Sequence, residues 1–121
     1  MADTRKLIGA FGERAAREYL KKRGYKILET NFRCALGEVD IVAQDGDCVV
    51  FVEVRTRSSL AFGTPEESIT AAKKARLIRL AQSYIQGHRD SSSPWRIDIV
   101  AIEIGHDGNI TRIELIENAV D

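Results

Sequence analysis

Gly37-Glu38-Val39-Asp40-Ile41-Val42-Ala43 and Cys48-Val49-Val50-Phe51-Val52-Glu53-Val54-Arg55, joined through Asp45-Gly46, form the stretch on which the fold turns. Both runs are apolar and rich in β-branched residues, as buried strands are. Asp-Gly between two such runs is a strong hairpin signal, because glycine takes the left-handed backbone that a tight turn needs. Yet each strand carries acids. A carboxylate taken out of water must pair with a cation, bind a metal or take up a proton. A loop of four residues (Gln44 to Asp47), or of two, predicts a register with Asp40 across from Phe51 and Glu38 across from Glu53. Alternation then sends Glu38, Asp40, Glu53 and Arg55 to one face, with Asp40 and Glu53 diagonal neighbours about 7 Å apart. One cation with oxygen ligands at about 2.1–2.5 Å bridges such a gap. An odd loop length would flip one strand and part the acids.

Working outward, residues from about Arg5 to Arg23 read as a helix. Ile8, Phe11, Ala15 and Tyr19 form its apolar stripe and Gly24 its stop. Gly9, Gly12 and Ala16 lie beside the stripe and would allow close approach to a sheet. Glu13 sits among them; the alternative for it is an exposed i, i+4 pair with Arg17. Tyr25 to Arg33 is a first strand, Glu38 to Ala43 a second and Cys48 to Arg57 a third. A polar loop, Thr56 to Gly63, leads to Thr64-Pro65-Glu66-Glu67, which has the form of a capping box. The helix behind it, broken near Thr70, runs to about Gln86 on a stripe of Leu77, Leu80, Ala81 and Tyr84. Lys73 lies on the same line. It either snorkels from the helix end or aims its ammonium at a phosphate near the acids. Asp90-Ser91-Ser92-Ser93-Pro94 is a loop. Trp95 to Ile104, with Asp98 inside it, is a strand, His106 to Asn109 a turn and Ile110 to Ile116 a last strand. The order α-β-β-β-α-β-β predicts a single α/β domain over residues 1–121, a mixed five-stranded sheet flanked by helices.

Composition bounds the function. The chain has 121 residues, 44% hydrophobic and 30% charged, which suits a globular protein with one modest core. No apolar run is long enough to span a bilayer and the start does not read as a secretory signal, so the expectation is a cytoplasmic protein with no membrane partner. Cys34 and Cys48 have no metal or redox spacing and read as free thiols of a reducing compartment. His88 and His106 lack partners at ligand spacing and read as surface or structural residues. Net charge is zero, yet charge comes in blocks. Residues 1–33 carry nine Lys/Arg against four Asp/Glu, and residues 34–54 carry five acids and no base. Residues 55–89 carry seven bases against two acids, and residues 90–121 two against seven. Acidic strands between basic segments suit a metal centre flanked by phosphate-binding surface; the alternative is solvated helix faces.

Asp40, twelve intervening residues, then Glu53-x-Arg55 at the end of an apolar strand resembles the PD-(D/E)xK nuclease motif. Gly12-Glu13, Ala16, Tyr19-Leu20, Gly24-Tyr25, Asn31, Arg33, Gly37-Glu38-Val39-Asp40, Phe51-Val52-Glu53-Val54, Pro65-Glu66, Lys73 and Arg96-Ile97-Asp98 together resemble the YraN-like family of small bacterial proteins. The resemblance implies a restriction endonuclease-like fold, similar to Holliday junction resolvases, and a Mg²⁺- (or Mn²⁺-) dependent nuclease. Asp40 and Glu53, with Glu13 from the helix, would hold the metal. Arg55 would stand at the phosphate, Lys73 would supply an ammonium, and Glu38 would support the site from behind or serve a second metal. Arg14, Arg17, Lys21, Lys22 and Arg23, with Lys73, Lys74 and Arg76, would contact the backbone of nucleic acid, DNA in preference to RNA, and related resolvases suggest a homodimer. Where this chain has Arg55 the family usually has Lys. Arg keeps the charge and clamps phosphate with two hydrogen bonds, but it cannot act as a base. The alternatives are a nucleic-acid binder of the same fold that no longer cuts, with Glu53 paired to Arg55 or Arg33, and a protein-interaction module.

Overall fold

A computed structural model describes residues 4–61, 63–88 and 92–119. The helix α1 (Thr4–Lys22) precedes three strands, β1 (Lys26–Cys34), β2 (Gly37–Asp45) and β3 (Cys48–Arg57). A single 3₁₀ turn (Glu66–Ser68) leads into α2 (Ala71–His88), and β4 (Trp95–Ile104) and β5 (Ile110–Ile116) follow. The five strands form one mixed sheet in chain order. All neighbours are antiparallel except β3 and β4, which run parallel because α2 carries the chain back across the sheet. The predicted order and α/β class are those observed. The loop predicted over Asp90 to Pro94 lies partly outside the described residues. Among those residues no helix is long and apolar enough to cross a membrane.

Local chemistry explains the boundaries. α1 ends in a Schellman motif: Tyr25 N–H donates to the Leu20 carbonyl at 3.0 Å and Gly24 N–H to that of Lys21 at 3.0 Å, with Gly24 at φ 88°. Thr64 N–H donates to Glu67 Oε1 at 2.8 Å and Glu67 N–H to Thr64 Oγ1 at 3.4 Å, the reciprocal bonding of a capping box. Lys73 N–H donates to Thr70 Oγ1 at 3.1 Å, which caps α2 and explains the break predicted there.

Two apolar layers lie on the two faces of the sheet. Val39, Val42, Phe51 and Ile97 pack under Leu77, Leu80, Ala81, Tyr84 and Ile85 of α2. Ile41, Ala43, Val50, Val52, Val100 and Ile102 pack under Ala16 and Leu20 of α1. The stripe predicted for α1 is rotated from its buried line. Gly12, Ala16 and Leu20 are the buried residues, while Ile8, Phe11, Ala15 and Tyr19 flank them half-buried. The reason is closeness: a Cβ on Gly12 would run into Thr56 Oγ1 of β3, so the smallest residues take the line of nearest approach. Gly9 meets nothing within 4 Å and plays no such part. Arg112 of β5 ties the 3₁₀ turn to the sheet through Glu66 at 2.8 Å, Glu103 at 2.7 Å and Glu114 at 2.8 Å. Those hydrogen bonds hold Glu66 down at about 2.

The hairpin register differs from the prediction by two residues. The turn is the tight one, Gly46-Asp47 with Gly46 at φ 62°, so pairing runs up to Asp45 and Cys48. Val42, not Asp40, stands across from Phe51, and Ile41 faces Val52. Continued one step, the register sets Asp40 directly across from Glu53 rather than diagonal to it.

Candidate functional site

The β2–β3 ladder stops at Ile41 and Val52, immediately before the two acids. On β1 the rung that would face Asp40 is held by Asn31, in the left-handed region at φ 51°. Val39 and Val42 both pack on the α2 face although they are three residues apart, so strict alternation breaks between them, at Asp40. The predicted single face for Glu38, Asp40, Glu53 and Arg55 is therefore replaced by a notch where β2 and β3 part. Asp40 fills it: its Oδ2 accepts the Val54 N–H at 2.8 Å and takes the place of a backbone carbonyl in the ladder.

Glu53 stays on the α2 face, 4% exposed. Arg55 Nη2 donates to its Oε2 at 2.9 Å, and Lys73 Nζ lies 3.7 Å from the same oxygen and 3.4 Å from the Glu38 carbonyl. Lys73 is thus drawn in between strands rather than snorkelling outward. Burial first, and then the charge of Asp40, push the Glu53 carboxyl up to about 7 against the opposing pull of Lys73 and Arg55. Glu13 reaches Asp40 from α1, on the other face. Burial and then the Asp40 charge raise it too. The three acids form a chain with Asp40 in the middle. Among the described residues no three His, Cys, Asp or Glu side chains close around one point as a finished metal site. A hard divalent cation does not need three: Mg²⁺ keeps several waters and is commonly held by one or two carboxylates. Asp40 and Glu53 supply such a pair, and like charges held together in a half-dry notch are what a cation relieves. Arg55 Nε is buried and without a hydrogen-bond partner among the described residues, a donor left unsatisfied beside the acids.

The remaining predicted site residues are scattered. Glu38 turns its carboxylate to Arg33 at 2.8 Å, exposed, and contributes only its carbonyl, to Lys73. Arg14, Lys21, Lys22 and Arg23 are exposed and Arg17 half-buried on or just after α1, with Lys21 3.7 Å from Glu18. Lys74 and Arg76 belong to α2, in the opposite layer, so the two basic groups do not make one surface. Arg5 and Arg57, which sequence reasoning passed over, line a cleft beside Glu13 and Arg55. The signal for Arg57 was its place two residues beyond Arg55 on the same strand. Cys34 and Cys48 are free thiols, Cys34 exposed. His88 stacks on Tyr84 with ring centroids 4.2 Å apart.

A model of one family, described as "Uncharacterised protein family UPF0102", matches residues 12–102. The chain belongs to UPF0102. Glu13, Asp40, Glu53, Arg55 and Lys73 all fall inside the matched segment. A UPF0102 protein of Dehalococcoides mccartyi is 51% identical over 120 residues, covering 99% of this chain and 98% of its own. UPF0102 proteins of Pelotomaculum thermopropionicum (47% over 119 residues, 98% and 99%) and Roseiflexus castenholzii (48% over 123 residues, 100% and 98%) are similar throughout. The predicted YraN-like membership is this family membership.

Proposed function

We propose that this UPF0102 protein is a metal-dependent phosphodiesterase of nucleic acids, with DNA the expected substrate. One observation carries the reading: a buried glutamate and an aspartate face each other across a broken ladder, with Arg55 and Lys73 on the glutamate. Asp40 and Glu53, with Glu13 behind Asp40, would hold Mg²⁺ or Mn²⁺, which supplies an acidified water and neutralises phosphate charge when bound. Arg55, a guanidinium whose Nε has no partner among the described residues, would stabilise the negative charge that grows on phosphate oxygens. Being always protonated, it stabilises charge and takes no proton. Lys73, 3.7 Å from Glu53, positions the carboxylate and favours its ionised form against burial and Asp40. The likeness of Asp40…Glu53-x-Arg55 to the PD-(D/E)xK motif supports the same reading.

The pairing of Glu53 with Arg55 favours a second reading, a nucleic-acid binder of this fold that no longer cuts. Incubation of linear, nicked and branched DNA with Mn²⁺ separates the two. Expected is cleavage by the wild type and a loss of at least about a hundredfold in Glu53→Ala and Asp40→Asn. No cleavage, together with a melting temperature that Mg²⁺ and Mn²⁺ leave unmoved, overturns the first reading.

A further inference from the structure

β3 runs on past Arg55. Arg57 follows two residues later, and alternate residues of a strand share a face about 6.6–6.8 Å apart. That spacing is comparable to the distance between successive phosphates of a polynucleotide. Arg57 is half-buried and makes no ion pair among the described residues. It lines a cleft of about 390 Å³ with Arg5 of α1, the hydroxyls of Ser58 and Ser59, and Arg55 itself. Glu13 is the one carboxylate on that wall. The Arg57 guanidinium has no acceptor among the described residues, two hydroxyls stand beside it on the same wall, and guanidinium forks fit phosphate oxygens in pairs. The cleft begins where the carboxylates end, since Arg55 belongs to both: one of its nitrogens is on Glu53 and its Nε is unpartnered.

We infer that this cleft is a second phosphate subsite, in which Arg57, with the Ser58 and Ser59 hydroxyls, holds the phosphate next to the one at Arg55 on a polynucleotide strand. The inference rests on the phosphodiesterase reading for the role of Arg55. It adds a substrate class, a strand with consecutive phosphodiesters rather than an isolated phosphoester. It also moves strand binding from the helix faces to the end of β3.

Binding of a labelled short single-stranded DNA, followed by fluorescence anisotropy in EDTA over a salt series, tests it. Arg57→Gln is expected to weaken binding about tenfold at low salt and to lower the slope of log affinity against log salt by about one. Arg57→Lys should restore most of that slope. Arg79→Gln, an exposed charge on α2 outside the cleft, should behave as wild type. If Arg57→Gln, folded by its melting curve, keeps the wild-type affinity and slope, or matches Arg79→Gln, the subsite is wrong. Absence of DNA binding by the wild type overturns it as well. Because these measurements involve no metal, binding through Arg57 without Mn²⁺-dependent cleavage would sink the proposed activity alone. Cleavage with an unaltered Arg57→Gln would sink the subsite alone.

Discussion

Two buried acids sit one rung apart on the parallel β3–β4 pair: Val52 faces Asp98 and Glu53 faces Ile99. Asp98 lies on the α1 face, fully buried; Glu53 lies on the α2 face. Burial raises both carboxyls, and there the likeness ends. Asp98 receives Arg96 Nε on both oxygens at 3.1 Å and the Asn118 N–H at 3.0 Å. Arg96 in turn bonds the Tyr25 hydroxyl at 2.6 Å and Asp45 at 3.2 Å. Among the described residues, every hydrogen bond to the Asp98 carboxylate comes from a donor that belongs to the closed network. For Glu53 the strongest influence after burial is a second carboxylate. The comparison separates an acid that closes a network from one held in an unfinished arrangement. Only the second leaves something for a ligand to do.

The largest effect expected from breaking this comparison is on the closed side. Asp98→Ala leaves Arg96 and the Asn118 N–H without their acceptor and should cost about 3–5 kcal/mol in urea unfolding at neutral pH. Glu53→Gln should cost far less, since its site already contains an unmet charge. A loss for Glu53→Gln as large as for Asp98→Ala would make both acids structural.

Next comes pH. A carboxyl whose folded pKa lies above its ordinary 4.5 binds its proton more tightly when folded. Its stabilising contribution is therefore full below about 4.5 and lost as pH rises to about 7. Metal-free wild type should lose on the order of 1–3 kcal/mol of unfolding free energy between these values. Glu53→Gln should flatten that part of the profile, and an unchanged profile would refute the assignment.

Gly12→Ala should cost about 1–3 kcal/mol by forcing a methyl against Thr56 Oγ1. Thr56→Ala in the same chain should recover part of it, read by thermal melting. This pair lifts α1, and with it Glu13, without touching α2 or Lys73, so it tests the site from one face only. The smallest effect belongs to Arg112→Ala, about 0.5–1 kcal/mol and weaker at high salt, because its three partners meet near the surface. A salt-independent loss above that range would show a second closed network instead.

Much of this was legible in the sequence. Strands β3, β4 and β5 begin and end at the predicted residues, because β-branched runs bounded by Asp-Gly, Ser-Pro and Asp-Gly-Asn leave little choice. The joining of Asp40 to Glu53 was legible through parity, which survives a two-residue error in register. The notch was not. It depends on a left-handed Asn31 and on a side chain replacing a ladder acceptor, neither of which alternation encodes. Glu38 was misplaced for the same reason: once the strands part, an exposed acid goes to the nearest cation, Arg33 across β1. Asp98 was seen only as an acid in an apolar strand, since its partners come from Tyr25, Arg96 and Asn118, far apart in the chain.

The bond from Val54 N–H to Asp40 has a consequence for reading related chains. The carboxylate is a missing rung of the sheet as well as a candidate ligand. A lineage that gave up chemistry would still be under pressure to keep an acceptor there, and asparagine or aspartate would serve. An aspartate at this position is therefore poor testimony to catalysis. Glu53, which the fold carries against its own charge balance, is the residue whose persistence or loss would speak.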